Sequence, residues 1–290
     1  MNPPKAMNKQ RVLFGANWKM HKTRQEAVDY INRLLGLLQA IRDIEQAQIF
    51  VLPPFTAIDA AKRASAGKLW IGAQNMHWAD SGAYTGEISA PMLQELGVDL
   101  VELGHVERRR YFNETDTEVN CKVHAALCHG LRPLVCVGER AEDKALGMTR
   151  EVLGRQVGIA LKGVKPREAS SLMIAYEPVW SVGVEGASVP PDYVRTVREY
   201  IHGILSEQFG PEASAQVPII YGGAVNEDNC AIILTEGQVD GLFVGRAGRE
   251  PDTFANLIRL CLRAMDSLPV SPDKVQEGTV QSNPSREEAR

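Results

Sequence analysis

The sequence has few cysteines, no long apolar run and no excess of positive charge, and each shortage excludes a class of protein. Its five cysteines are odd in number and scattered, which fits reduced thiols better than a disulfide framework. No stretch reaches about 18 consecutive apolar residues, so we expect no membrane partner. A net charge of −4 provides no electrostatic footprint for a nucleic acid. These shortages together predict a cytoplasmic protein.

The chain is long and apolar enough to form one large folded domain. It has 290 residues, of which 44% are hydrophobic, and single barrel domains commonly reach this size. We assign the folded domain to residues 11–266. Residues 1–10 lack the apolar region of a secretory signal and are interpreted as an N-terminal extension. Residues 267–290 are rich in Pro, Ser, Gln and Glu, and we expect them to be disordered.

Short apolar runs alternate with longer amphipathic segments along the folded domain. The runs are continuous, which is typical of strands in a parallel sheet buried on both faces. We predict strands at residues 12–17, 48–53, 69–75, 100–104, 133–138, 172–177, 218–222 and 242–245. Helices are predicted between them, for example at residues 25–41, 117–129, 193–208 and 252–265, with Asp192 and Asn226 as helix starts. Eight strand–helix pairs favour an α/β fold with a single closed (β/α)8 barrel.

Two predicted connections, residues 76–87 and residues 178–188, are unusually long. Connections between strands and helices in α/β domains usually have about two to six residues. Longer ones are commonly functional, so we expect an arm, a lid or a binding loop in each.

Polar residues follow several of the predicted strands directly. Asn17 and Lys19 come at the end of the first strand, His105 follows the fourth, and Glu177 ends the sixth. In a parallel barrel the carboxyl ends of the strands meet on one face, where active sites lie. The last two strands end in glycines, whose exposed N–H groups suit a phosphate. Each polar residue alone has an ordinary explanation, but four different groups on one face indicate a catalytic site.

A run of possible metal ligands comprises Cys121, His124, Cys128 and His129. The run falls within one predicted helix, so Cys121, His124 and Cys128 can share a face without surrounding a tetrahedral ion. Structural zinc sites normally take their ligands from separate turns or loops. We therefore predict no metal.

Seven short segments contain most of the functional information in the sequence. They begin at residues 15, 72, 84, 102, 136, 175 and 221 and read GANWKM, GAQN, YTGE, ELGHVERR, CVGE, AYEPVW and YGGAV. In order and spacing, across residues 11–265, they resemble the triosephosphate isomerase family. The resemblance implies a cofactor-free isomerase that moves a proton within a small phosphorylated sugar.

The resemblance also implies a role for each catalytic residue. Glu177 corresponds to the base that carries a proton between adjacent carbons, and His105 to a neutral group that polarises the carbonyl, the pairing for which this family is the standard example. Lys19 corresponds to the cation that attracts the phosphate and steadies the enediolate. Asn17 is its polar neighbour, and Glu107 is the acidic residue that pairs with the lysine.

The two long loops and the glycine-rich strand ends also have counterparts in the family. Residues 178–188 correspond to a lid in which Gly183 turns its amide toward the phosphate. Residues 76–87 correspond to an arm whose Thr85 reaches into a neighbouring subunit, so we expect a homodimer. Further phosphate-binding positions are expected on a rim formed by Gly222, Gly223, Ala224, Gly245 and Arg246.

Four positions depart from the usual family pattern. Val106 replaces a serine, which removes a hydrogen bond to the resting glutamate, and residues 184–186 read Val-Glu-Gly in place of Thr-Gly-Lys. Ala224 replaces another serine and offers only its backbone. Arg246 replaces a glycine and either supplies a new cation or points into solvent. The central catalytic residues are intact, so the reaction type is expected to survive.

Triose phosphates are the predicted substrates, in the interconversion of D-glyceraldehyde 3-phosphate and dihydroxyacetone phosphate that serves glycolysis and gluconeogenesis. An alternative comes from a branch of the superfamily that isomerises four-carbon ketose phosphates such as erythrulose phosphate. The segment QNMHWAD at residues 74–80 and the arginine at position 246 resemble that branch.

Two further functional classes remain open. A lyase could use Lys19 to form a Schiff base, but pairing with Glu107 favours the charged lysine and so disfavours this chemistry. A sugar-phosphate-binding paralogue without catalysis is suggested by the altered lid and rim.

Overall fold

The structure is a computed structural model that describes residues 11–183 and 186–267. The predictions for the N-terminal extension, for the tail from residue 268 onward and for lid residues 184 and 185 lie outside the described residues.

Eight parallel strands close into a barrel, which confirms the predicted fold class. The strands are β1 (Val12–Asn17), β2 (Ala47–Leu52), β3 (Trp70–Ala73), β4 (Leu100–Leu103), β5 (Arg132–Val137), β6 (Met173–Tyr176), β7 (Ile219–Tyr221) and β8 (Gly241–Val244). They are ordered sequentially, and β8 pairs with β1 to complete the ring.

Helices surround the barrel on its outer face. They are α1 (Arg24–Leu38), α2 (Ile58–Ser65), α3 (Ala90–Glu95), α4 (Val106–Tyr111), α5 (Asp116–Cys128), α6 (Ala141–Ala145), α7 (Thr149–Ala160), α8 (Pro191–Phe209), α9 (Pro211–Ser214), α10 (Cys230–Glu236) and α11 (Pro251–Asp266). In the described residues, no helix combines the length and apolar character needed to cross a membrane.

The continuous apolar runs in the strands supply two separate cores. Side chains such as Leu13, Phe50, Leu134 and Phe243 fill the barrel interior. Side chains on the other face of the strands pack against the helices in a larger cluster. Because both faces of each strand are buried, an alternating polar pattern would place polar groups in one of the two cores.

Several predicted boundaries differ from the structure. The third strand ends at Ala73, because Gln74 leaves the sheet and its amide donates to the carbonyls of Leu52 and Lys19. The helix expected to start at Asn226 begins at Cys230, after a turn in which the Asn226 side chain accepts from two backbone N–H groups. Asp192 lies inside the first turn of α8, since proline is well suited to the first helical position.

Candidate active site

The predicted catalytic residues lie at the carboxyl ends of the strands. Asn17 is the last residue of β1 and Lys19 lies two positions later, whereas His105 and Glu177 follow β4 and β6. Asn17, His105 and Glu177 are only 5%, 5% and 3% exposed. Barrel closure therefore places polar groups from three separate strands in one site shielded from water.

A sharp turn after β4 directs His105 into this site. Gly104 has a φ of +75°, a conformation that glycine adopts without a steric penalty. Its N–H donates to the buried carboxylate of Glu114 across 3.1 Å. The chain then enters α4 directly after His105, so this turn fixes the position of the imidazole.

The hydrogen bonds of His105 define its protonation state. Its Nδ1 accepts from the backbone N–H of Glu107 across 3.1 Å, which leaves the proton of a neutral imidazole on Nε2. Burial lowers the pKa of His105 to about 3, and the positive charges of Lys19 and Arg108 act in the same direction. Near neutral pH the imidazole is therefore an uncharged donor that faces the site through Nε2.

Glu177 lies opposite this donor. Its Oε1 is 3.7 Å from Nε2 of His105, and its Oε2 is buried without a hydrogen-bond partner in the described part of the chain. Burial raises the pKa of Glu177 to about 7, although the charge of Lys19 acts in the opposite direction. A Cβ atom at Gly222 would lie 2.8 Å from Cγ of Glu177, so a residue without a side chain is needed beside the carboxylate.

Lys19 is held in an unusual backbone conformation. Its φ is +53°, in the left-handed region that costs a non-glycine residue free energy. The Asn17 side chain stabilises this turn because its Oδ1 accepts from the Lys19 N–H across 2.6 Å. The ammonium then lies 2.7 Å from Oε1 of Glu107. The structure thus brings together the predicted lysine–glutamate pair, and the lysine side chain remains 25% exposed.

Glu102 is a residue of the candidate site that the sequence reasoning missed. It lies within β4, is 1% exposed, and its two oxygens accept from Nδ2 of Asn17 across 3.0 and 2.8 Å. Burial and the charge of Glu177 raise the pKa of Glu102 well above its usual range. The available signal was a glutamate inside the otherwise apolar strand sequence Leu-Val-Glu-Leu.

The start of the lid is fastened to the barrel by the partly buried side chain of Trp180 and the buried side chain of Ser181. Nε1 of Trp180 donates to Glu139 across 2.9 Å. The Ser181 hydroxyl donates to the carbonyl of Ala187 across 2.7 Å and accepts from the Ala224 N–H across 2.9 Å. The sequence reasoning did not single out Glu139 or Ser181 individually. The Ala224 amide was predicted to bind phosphate, but it already donates its hydrogen bond to Ser181 of the lid.

The other predicted rim residues lie at the carboxyl ends of β7 and β8. Gly222 and Gly223 follow β7, and Gly245 follows β8. A Cβ atom at Gly245 would lie 3.6 Å from Cε of Lys19, so this glycine backbone borders the lysine side chain. Arg246 is exposed, and its Nη2 donates to the carbonyl of Gly183 across 2.6 Å. It therefore connects the rim to the lid.

The arm is organised around a stack of aromatic rings. The His77 ring lies 4.1 Å from Trp78 and 4.1 Å from Tyr84, measured between ring centroids. The backbone N–H of His77 also donates to the backbone carbonyl of Ile88 across 2.8 Å. Thr85 follows Tyr84 and is exposed.

The two histidines of the cysteine–histidine run, His124 in α5 and His129 just after it, contact other groups of the protein. Nε2 of His124 lies 2.8 Å from the carbonyl of Lys162, and Nε2 of His129 lies 2.8 Å from Asp80. Within the described residues, three potential metal ligands come together instead at Glu102, His105 and Glu177, whose ligand atoms lie within 4.8 Å of one another.

Comparison with known proteins identifies the family. The family model for triosephosphate isomerase matches residues 12–261. The chain is 43% identical over 252 residues to an L-erythrulose-1-phosphate isomerase of Mesorhizobium japonicum, a match that covers 86% of this chain and 97% of that protein. It is 43% identical over 249 residues to a triosephosphate isomerase of Moorella thermoacetica, with 86% and 98% covered.

A second relative named L-erythrulose-1-phosphate isomerase comes from Rhizobium etli. It is 40% identical over 264 residues, with 88% of this chain and 94% of that protein covered. The chain belongs to the triosephosphate isomerase family, as its sequence segments predicted.

Proposed function

We propose that this family member is a sugar-phosphate isomerase that interconverts D-glyceraldehyde 3-phosphate and dihydroxyacetone phosphate. The main observation is the pairing of a buried carboxylate with a neutral imidazole donor, 3.7 Å apart. A proton α to a carbonyl is only weakly acidic, so its removal requires a positioned base and stabilisation of the oxygen on which charge develops. Glu177 and His105 meet these two requirements.

The reaction follows from these positions. Glu177 takes a proton from the carbon beside the carbonyl, and the electron pair moves to the carbonyl oxygen, which the His105 Nε2–H stabilises. The resulting enediolate is further stabilised by the ammonium of Lys19. Glu177 then returns the proton to the neighbouring carbon, and a hydroxyl proton moves between the two oxygens. The substrate neither gains nor loses protons or electrons overall, so the reaction needs no cofactor.

The lid has a chemical purpose in this reaction. An exposed enediolate that carries a phosphate on the adjacent carbon can eliminate that phosphate, so closure of the lid protects this intermediate. The bonds from Trp180, Ser181 and Arg246 all hold lid residues against the barrel or its rim. We propose that phosphate binds between Gly183 of the lid, the rim glycines and Lys19.

A four-carbon ketose phosphate is the second candidate substrate. It is favoured by the two relatives named L-erythrulose-1-phosphate isomerase, whereas other relatives of the same identity are named triosephosphate isomerase. Such a substrate would undergo the same proton transfer at its two central carbons. It differs by an additional terminal hydroxymethyl group.

We further propose a cytoplasmic homodimer joined through the arm. Large apolar side chains are exposed near the active-site face, including Met20 at 94%, Tyr111 at 64% and Phe112 at 66%. Exposed apolar groups of this kind commonly mark protein interfaces. Sedimentation of the wild type and of Trp78→Asp would test this, because a charge on the arm should shift a dimer toward monomer. A wild type that sediments as a monomer at micromolar concentration would contradict it.

The enzymatic proposal is tested by assays of the purified chain with both classes of substrate. Conversion of triose phosphates is the expected result. Binding of 2-phosphoglycolate, a mimic of the enediolate, without conversion of either substrate would identify a non-catalytic binding protein. Trapping of substrate on Lys19 by borohydride would indicate Schiff-base chemistry and contradict the proposed role of that lysine.

A further inference from the structure

Glu102 is a buried acid for which the proton transfer provides no role. It is 1% exposed and lies directly above the apolar barrel interior, where its Oε1 is 3.6 Å from the Cys136 thiol. Placing a carboxyl group in such surroundings costs free energy unless hydrogen bonds compensate it. Isomerisation of a triose phosphate would use Glu177, His105 and Lys19 and requires no second carboxyl group.

Glu102 lies close to the imidazole of His105 and the carboxyl group of Glu177. One of its oxygens lies within 4.8 Å of both a ring nitrogen of His105 and an oxygen of Glu177. These two residues are the ones proposed to face the reacting carbons. Glu102 lies within β4, three residues before His105, which follows the strand, so Glu102 lies deeper in the barrel than the imidazole. It forms part of the floor of the site.

The hydrogen bonds of Glu102 leave it capacity for another donor. The oxygens of a carboxyl group retain acceptor capacity whether or not the group is protonated, and the Asn17 amide supplies one donor group that is shared by both oxygens. The weak thiol contact uses part of the capacity of Oε1. An additional hydroxyl group in the floor of the site could therefore bond to Glu102 without displacing Asn17.

The orientation of the proposed substrate indicates which group would reach this floor. In the proposed complex the phosphate is bound at the rim, and the two reacting carbons contact Glu177 and His105 from the same open side of the pair. In a triose phosphate the remaining terminal carbon is itself a reacting carbon and carries only its reacting oxygen and hydrogen. In a four-carbon ketose phosphate the same carbon bears a hydroxymethyl group, which extends away from the phosphate.

We propose that Glu102 is a specificity-determining residue whose carboxyl oxygens accept a hydrogen bond from the terminal hydroxyl of a four-carbon ketose phosphate. The inference rests on the proposed isomerase function and names the substrate class that this site accommodates in addition to triose phosphates. Asn17 keeps the Glu102 carboxyl group in place, since it bonds both of its oxygens while its own Oδ1 is held by the Lys19 N–H.

A divalent cation held by Glu102, His105 and Glu177 is the competing explanation for this cluster. Two features of the described residues oppose it. The Asn17 amide directs an N–H donor at both Glu102 oxygens, and the positive charge of Lys19 acts on Glu102 and on Glu177. A hydroxyl group is compatible with both features, because it is neutral and can donate a hydrogen bond to the carboxyl group.

The test compares two substrates in the same variants. We would measure kcat/KM for L-erythrulose 1-phosphate and for dihydroxyacetone phosphate in the wild type, Glu102→Leu and Glu102→Gln. The ratio of the two constants removes any shared effect on Asn17 or on folding. Loss of one hydrogen bond to a buried carboxyl group should lower the ratio of tetrulose to triose activity by about 10- to 100-fold in Glu102→Leu. Glu102→Gln retains the size of the side chain and one acceptor oxygen. Its ratio of tetrulose to triose activity should lie between those of the wild type and Glu102→Leu.

Each other outcome contradicts a specific claim. A wild type that converts triose phosphate but not L-erythrulose 1-phosphate would overturn the inference and leave the proposed function intact. Equal losses on both substrates would show that Glu102 only positions Asn17. Inactivity of the wild type on both substrates would overturn the proposed function itself. A divalent cation retained by the dialysed wild type and lost from Glu102→Gln would identify a metal site instead.

Discussion

The backbone N–H of Ala224 donates to the hydroxyl of Ser181 across 2.9 Å, and this bond joins the rim to the start of the lid. The same hydroxyl donates to the carbonyl of Ala187 across 2.7 Å. Ser181 is 1% exposed, so one buried side chain connects both ends of the lid to the barrel. The usual family pattern has a serine at position 224, whereas here the hydroxyl group comes from the lid.

Ser181→Ala should therefore weaken lid closure. The change leaves the Ala224 N–H and the Ala187 carbonyl without their partner, and a lost hydrogen bond in a buried site costs about 1 to 2 kcal/mol. We expect kcat/KM for triose phosphate to fall about 5- to 30-fold. Ser206→Ala in α8 is the matched control and should retain full activity. Adding Ala224→Ser to the first variant should restore part of the loss, and unchanged activity in Ser181→Ala would contradict this role.

Glu177→Asp should reduce turnover far more than it weakens binding. The substitution keeps a carboxylate but withdraws it by one methylene from the reacting carbon, and a misplacement of this size costs on the order of 100-fold in rate. Steady-state kinetics should show the loss in kcat with little change in KM. Glu151→Asp, on the exposed side of α7, provides the control. Wild-type turnover in Glu177→Asp would exclude this residue as the base.

Activity should rise with pH through the neutral range. Glu177 acts as a base only when deprotonated, and its pKa of about 7 means that the active fraction increases as pH passes from 6 to 8. His105, with a pKa of about 3, remains neutral throughout and adds no further transition there. The profile of kcat/KM between pH 5 and 9, corrected for ionisation of the substrate phosphate near pH 6, would measure this. A flat corrected profile would be inconsistent with a buried carboxylate base.

Lys19→Met should nearly abolish activity. It removes the cation beside the proposed enediolate and leaves Glu107 without its partner at 2.7 Å. Loss of one such electrostatic contact typically costs about 100- to 1,000-fold in rate. We expect weaker binding of 2-phosphoglycolate by calorimetry as well, because the same cation is proposed to bind the phosphate. Lys68→Met is the control, since this exposed lysine lies just before β3, at the opposite end of the barrel.

The sequence by itself determined the barrel and the approximate composition of its active site. Continuous apolar runs separated by amphipathic helices specify a parallel sheet buried on both faces, and all eight predicted strands are present. A polar residue directly after such a strand must lie at the carboxyl end of the barrel. For that reason Asn17, His105 and Glu177 were found from their positions alone, and the family resemblance supplied the roles proposed for them.

Tertiary structure decided which side chains meet. Asn17 and Glu102 are 85 residues apart in sequence, and Arg246 and Gly183 are separated by 63. Contacts of this range depend on the register of the closed barrel and on the path of the lid, which no local pattern contains. The protonation states of Glu177 and His105 have the same origin, because burial by residues from several strands shifts both pKa values. Residue types thus follow from local sequence, whereas partners and charge states follow from closure of the barrel.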